Sequence, residues 1–320
     1  MVIIILIIFL LWFYFVSFKK ERVVYGVTFS QVFAEDLGLD WQQVYSASLD
    51  ELKIKNYRLV AYWNRIEKKQ GVFDFSDLDW QIEEAAKRDA KVILAVGQRT
   101  PRWPECFIPD WAADFTDGQR QEALLNYLKV MINHYKNYNN IVYWQVENEP
   151  LLSVFGECPP PSFNNLKEEV NLVKSLDDRQ VILTDSGELS FWIRTAQIAD
   201  VLGTSIYHSI YNKWWGYFYY PYPPAFYYLH AKIIKAFFPV KEVIVSEFQF
   251  EPWARKDITE ISLDEQFRSF DLNRFRRNYR YAQRSGFSEV YLWGVEWWYW
   301  LKEEKGIGDF WEEAKKIWQE

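Results

Sequence analysis

Residues 141–150 read IVYWQVENEP and residues 242–249 read EVIVSEFQ. Each is a short apolar run, rich in β-branched and aromatic residues, that closes on a carboxylate. Such runs favour extended backbone, and one with almost no polar alternation suits a strand covered on both faces, as in a parallel sheet flanked by helices. A carboxylate at the end of a buried strand is costly without a partner, so Glu149 and Glu247 both ask for an explanation.

The same pattern recurs outward from these two stretches. Apolar runs at 23–28, 57–63, 91–97, 141–147, 180–184, 201–206, 242–247 and 289–294 make eight candidate strands. Helical patterns lie between them. Ser76-Asp77-Leu78-Asp79 resembles a capping box, after which Leu78, Ile82, Ala85 and Ala86 form one apolar stripe. Thr116 with Gln119 repeats the signal ahead of Leu124, Leu128, Met131 and Tyr135. Eight β–α alternations without a Gly/Ser/Pro-rich linker predict one (β/α)₈ TIM barrel over residues 21–320, with a doubly wound open sheet as the alternative.

In such a barrel, functional residues sit at the C-terminal ends of the strands. Glu149 and Glu247 end the fourth and seventh strands, which face each other across the mouth. Cleavage of a glycosidic bond with retention needs two carboxyls about 5 Å apart, one protonated acid and one ionised nucleophile, and proximity itself keeps one of them protonated. Aromatic residues make up 19% of the chain, with 17 Trp, 21 Tyr and 24 Phe. Their flat rings suit sugar faces, core filling or a membrane interface. Much of the excess lies in residues 207–228, readable as a substrate platform, a lid or a membrane-facing surface.

Other classes find little support. Net charge is −7 with no basic block, which argues against nucleic acid as a partner. The three His are scattered without an HExxH pattern, and GxxxxGK[ST], GxGxxG and GxSxG are absent, so neither a metal nor another cofactor is expected.

W-Q-V-E-N-E-P at 144–150 resembles the acid/base motif on the fourth strand of clan A glycoside hydrolases, and V-S-E-F at 245–248 resembles their nucleophile strand. Y-R-L-V-A-Y-W at 57–63 is similar to the second strand of glycoside hydrolase family 5 and its relatives. The resemblance implies a retaining hydrolase acting mostly on β-glycosides of oligo- or polysaccharides. It implies Glu149 as acid/base, Glu247 as nucleophile and Arg58 beneath Glu247. It also implies Asn148 on the sugar 2-hydroxyl, Tyr207 bonded to the nucleophile and Trp293 as the floor of the −1 subsite. Two departures stand out. Ser205 occupies the place of a His two residues before the sixth-strand Tyr, and residues 98–103 carry no third-strand His. A non-catalytic carbohydrate-binding barrel tethered to the membrane is the competing reading, and intact Arg58, Asn148, Glu149 and Glu247 argue against it.

Residues 2–18, VIIILIIFLLWFYFVSF, carry no charge and are followed by Lys19, Lys20 and Arg22. With no basic stretch before and no small-residue cleavage site after, residues 1–20 read as an uncleaved transmembrane anchor helix more readily than as a signal segment. This predicts a membrane-anchored protein with an extracytoplasmic catalytic domain, although the positive-inside rule favours the opposite orientation. Cys106 and Cys158 fall in the third and fourth β–α loops, neighbours on one face of a barrel, where a disulfide is expected in an oxidising compartment.

Overall fold

In the computed structural model the described residues are 16–18, 22–154 and 156–319. Eight parallel strands close into a barrel: β1 (Val24–Thr28), β2 (Asn56–Val60), β3 (Lys91–Val96), β4 (Ile141–Val146), β5 (Val181–Asp185), β6 (Val201–Ile206), and then the seventh and eighth barrel strands, β9 (Glu242–Gln249) and β10 (Glu289–Trp293). β10 pairs with β1 in parallel, Val24 to Glu289 through Thr28 to Trp293, which closes the ring and excludes the open sheet. Between β6 and β9 the chain adds an antiparallel hairpin, β7 (Ser209–Asn212) and β8 (Gly216–Tyr219), inside the aromatic 207–228 stretch.

Alternation along the strands sorts the side chains. Val92, Leu94 and Val96 of β3 and Trp144 and Val146 of β4 face outward into the large apolar layer beneath the helices. Ile93, Ile182, Val201, Ile244 and Tyr291 point inward and fill the barrel interior. Toward the C-terminal ends the inward positions turn polar: Thr28, Arg58, Gln145 and Thr184 are all buried. That polar layer is the base on which the site is built.

The helices follow their stripes, with one difference. Thr116 and Gln119 form a reciprocal capping box on helix Asp117–Tyr135. Ser76 does not cap its helix; it is the first residue of helix Ser76–Lys87, and Asp74 takes both its N–H and its hydroxyl. The second strand stops at Val60 because Trp63 opens the short helix Trp63–Ile66.

The expected membrane-anchor helix over residues 1–20, and with it membrane attachment and an extracytoplasmic placement, is corrected. Among the described residues no helix is long and apolar enough to cross a membrane. Residues 1–15 and 19–20 of that expectation lie outside the described residues. The described remainder, residues 16–18, is not helical. Phe18 donates its backbone N–H to the Arg284 carbonyl at 3.0 Å and stacks on Tyr228 at 4.0 Å between ring centroids. One face of its ring therefore packs against the barrel's own Tyr228.

Candidate active site

Simple alternation would turn Glu247 away from the barrel axis, since Val243 and Val245 of the same strand face the outer apolar layer. The register shows why it does not. Thr204 pairs with Val245 but the next residue, Ser205, pairs with Glu247, and on the other side Val290 pairs with Val245 while Leu292 pairs with Phe248. One extra residue at Ser246 bulges β9 and reverses its phase, so Phe248 and Phe250 face outward and Glu247 turns in.

Arg58, fully buried on β2, receives it. Its Nη1 donates to Glu247 Oε1 at 2.6 Å and to Thr28 Oγ1 at 3.4 Å, Nη2 to Asn148 Oδ1 at 2.6 Å, and Nε to Gln145 Oε1 at 2.6 Å. Tyr207, just beyond β6, donates its hydroxyl to the other oxygen of Glu247 at 3.0 Å. Both oxygens of Glu247 are thus held, one by a cation and one by a phenol.

Beyond β4 the backbone is unusual. Glu147 and Glu149 have φ of 59° and 43°, a region that costs non-glycine residues of order 1–3 kcal/mol each unless the surroundings impose it. The surroundings do. The Glu147 carboxylate accepts the N–H groups of Gln98 (2.9 Å) and Arg99 (2.7 Å), and Asn148 N–H donates to the Arg99 carbonyl at 2.7 Å. Gly97 makes room for this clamp: a Cβ there would lie 2.4 Å from Glu147 Oε1. Glu149 N–H donates to Thr184 Oγ1 at 2.8 Å, and Thr184 in turn donates to Asn148 Oδ1 at 3.2 Å. The Glu149 carboxyl accepts one hydrogen bond, from the Ser205 hydroxyl at 2.8 Å. Burial, reinforced by the charges of Glu247 and Glu105, holds it well above the ordinary carboxylate range.

Of these residues Glu149, Ser205, Tyr207 and Glu247 line a cleft of about 610 Å³ at the C-terminal mouth of the barrel. One wall is an ion cluster in which Arg102 donates to both oxygens of Glu251 and to Glu296, its guanidinium lying 3.7 Å from the Phe33 ring centroid and 4.3 Å from that of Trp293. Trp293 donates its indole N–H to Glu251 Oε1 at 2.8 Å. Burial pushes the Glu296 carboxyl up to about 7 against the pull of Arg102. Cys106 and Cys158 are joined by a disulfide, Cα–Cα 5.2 Å, which ties the third loop to the fourth.

Arg58, Asn148, Glu149, Tyr207 and Glu247 therefore meet in one hydrogen-bonded group, and Trp293 joins the same cleft through Glu251. Gln145, Thr184, Ser205, Glu105, Arg102 and Glu251 were not singled out for the site from sequence. Ser205 carried a signal in standing where a His was expected, and Arg102 and Glu105 one in following the third strand. Among the described residues no group of three or more His, Cys, Asp or Glu could hold a metal ion.

Barrel glycosidases of clan A share this plan, with a carboxyl at the mouth end of the fourth strand facing another on the seventh, and the chain falls among them. It belongs to glycosyl hydrolase family 5, described as the cellulase family, whose profile matches residues 28–290. The β-galactosidase BgaA of Clostridium cellulovorans is 24% identical over 177 residues, covering 49% of this chain and 26% of that protein. Among solved structures, the exo-β-1,4-mannosidase Op5Man5 from Opitutaceae bacterium strain TAV5 superposes with a TM-score of 0.56 at 15% identity, over 87% of this chain and 53% of that one. A family 5 subfamily 18 protein of Bifidobacterium longum gives 0.62 at 14% identity, over 85% of this chain and 70% of that one. At these identities the structural likeness speaks to fold alone. The chain spans about a quarter of the length of the β-galactosidase and about half that of the mannosidase.

Proposed function

We propose that the protein hydrolyses β-glycosides with retention, Glu149 serving as acid/base and Glu247 as nucleophile. The observation that carries this reading is the contrast between the two carboxyls. Glu247 has a guanidinium and a phenol donating to its two oxygens, which hold it in place as a positioned nucleophile requires. Glu149 has one neutral hydroxyl and a neighbouring negative charge, which serves the protonated form. Two chemically identical groups are thereby assigned different roles by their surroundings.

In the first step a Glu247 oxygen attacks C1 of the sugar while Glu149 delivers its proton to the leaving oxygen. The C1–O bond breaks and a glycosyl ester to Glu247 forms. In the second step water attacks C1, Glu149 takes back a proton, and the ester bond breaks to regenerate Glu247. Asn148 has its carboxamide oxygen engaged by Arg58 and Thr184. Its N–H donors are left for the sugar hydroxyl next to C1, a contact that strengthens in the transition state. The relatives reported above are named for β-galactoside and β-1,4-mannoside cleavage; only the β configuration is carried over here, with an oligo- or polysaccharide as substrate class.

The test is chemical rescue. Glu247→Ala should lose turnover of a 4-nitrophenyl β-glycoside and regain it with azide, yielding the α-glycosyl azide. Glu149→Ala should give the β-azide. The opposite stereochemical pattern would exchange the two roles, and an active Glu247→Ala without azide would refute the pair.

A further inference from the structure

Glu105 lies in the cleft and the chemistry above does not use it. It sits in the third loop with φ of 70°, held by Thr100 N–H donating to its carbonyl at 2.7 Å and by its own N–H donating to the Arg102 carbonyl at 2.6 Å. The next residue, Cys106, is bonded to Cys158. The backbone here is fixed from three sides, so the side chain has little freedom to leave.

The carboxyl is used unevenly. Oε2 accepts both Nε and Nη2 of Arg99, at 3.0 and 2.8 Å. Arg99 is itself fixed by a bond to the Leu152 carbonyl. Oε1 has no protein partner among the described residues, yet it is not among the side-chain atoms sealed from solvent without one. Glu105 lines the cleft together with Glu149 and Glu247 and lies within electrostatic reach of both. A carboxyl oxygen without a protein partner among the described residues, on a fixed residue that lines the cleft beside Glu149 and Glu247, is a receptor for a donor brought by the ligand. On a sugar the donors are hydroxyls.

We infer that Glu105 is a substrate-contacting specificity residue, its Oε1 bonding one hydroxyl of the sugar held between Glu149 and Glu247, with Arg99 as the residue that positions it. The inference rests on the reading of Glu149 and Glu247 given above.

The experiment compares wild type and Glu105→Gln on 4-nitrophenyl β-D-glucoside, β-D-mannoside and β-D-galactoside, which differ in configuration at C2 or C4, and on the monodeoxy analogues of the best of them. In the wild type at pH 8, above the value of about 7 to which burial pushes Glu105, removing the hydroxyl that Glu105 binds should lower kcat/KM about 10- to 100-fold, the worth of one hydrogen bond to a charged group. In Glu105→Gln that single penalty should shrink to about threefold or less while the penalties at the other positions stand. Should the Gln variant fail to fold, Glu105→Asp, which keeps the charge beside Arg99 but draws the carboxyl back, carries the same comparison. Equal losses on every analogue, with or without a lower Tm, make Glu105 a structural residue and overturn the inference alone. A wild type that cleaves none of the three glycosides, or an active Glu247→Ala, overturns the underlying reading and this inference with it.

Discussion

A guanidinium with no solvent exposure must have its charge met inside the protein, and Arg58 meets it with a carboxylate, a carboxamide oxygen on each of two side chains, and a threonine hydroxyl. The planar fork sends these bonds in fixed directions, so one side chain sets the positions of both Glu247 and Asn148. Lysine would keep the charge but has no such fork. Arg58→Lys should therefore fold and bind sugar, yet lose about 100-fold or more in kcat/KM, a size typical of removing one oriented electrostatic contact at a reacting centre. Initial rates beside a thermal melt decide this. Rates within a few-fold of wild type, with a large fall in Tm, would reduce Arg58 to a core ion-pair residue. Arg58→Ala is the harsher case: it leaves Glu247 buried beside no cation, which costs about 3–5 kcal/mol of stability, so its inactivity would say less.

At the scale of elements, the site depends on two local departures from regular strand geometry, the bulge in β9 and the clamp between the ends of β3 and β4. Gly97 sits at the clamp with φ of 140°, and a Cβ there would meet the Glu147 carboxylate at 2.4 Å. Gly97→Ala should cost roughly 1–3 kcal/mol, from backbone strain and from displacing Glu147 from the N–H groups of Gln98 and Arg99. Because that clamp fixes Arg99, Asn148 and Glu149 together, activity should fall along with the urea midpoint; an alanine variant with unchanged midpoint and rate would show the clamp to be dispensable. Neither departure is legible in the amino-acid pattern. The strands could be read because parallel barrel strands are continuous apolar runs, and Glu149 and Glu247 because a carboxylate ending such a run is conspicuous. Period-two alternation from Val243 and Val245, however, would have turned Glu247 outward, and only pairing register reveals the extra residue at Ser246. The β7–β8 hairpin was hidden because Tyr, Trp and Phe fill most positions of 207–228 and leave no alternation to detect. Glu105, Arg102 and Glu251 lie in or beside loops, where no periodicity marks which charged residue turns into the cleft.

Over the whole molecule these choices leave several carboxyls in places where ionisation is costly, and that sets how stability depends on pH. Burial pushes Glu105, Glu169 and Glu296 each from an ordinary 4.5 up to about 7, outweighing Arg99 at the first and Arg102 at the last. Among the described residues no cation offsets this at Glu169; its Oε1 accepts from Gln121, and its Oε2 is buried without a partner there. Between pH 4.5 and 7 the folded protein keeps protons on these groups that the unfolded chain has already released. Stability must then fall as pH rises through that window and level off above it, because the state that binds more protons is favoured by lower pH. A chain with a net charge of −7 at pH 7 adds repulsion of the same sign. Melts in buffers of equal ionic strength should give a higher Tm at pH 5 than at pH 8. Glu169→Gln, whose residue lies in the helix Phe163–Leu176 and does not line the catalytic cleft, should reduce the difference by removing one of the titrating groups while leaving the Glu105 and Glu296 contributions in place. A Tm that climbs from pH 5 to pH 8 would mean that these carboxyls ionise in the folded state with Arg99 and Arg102 as effective partners, so that ion pairing, not desolvation, governs the acid groups around the barrel mouth.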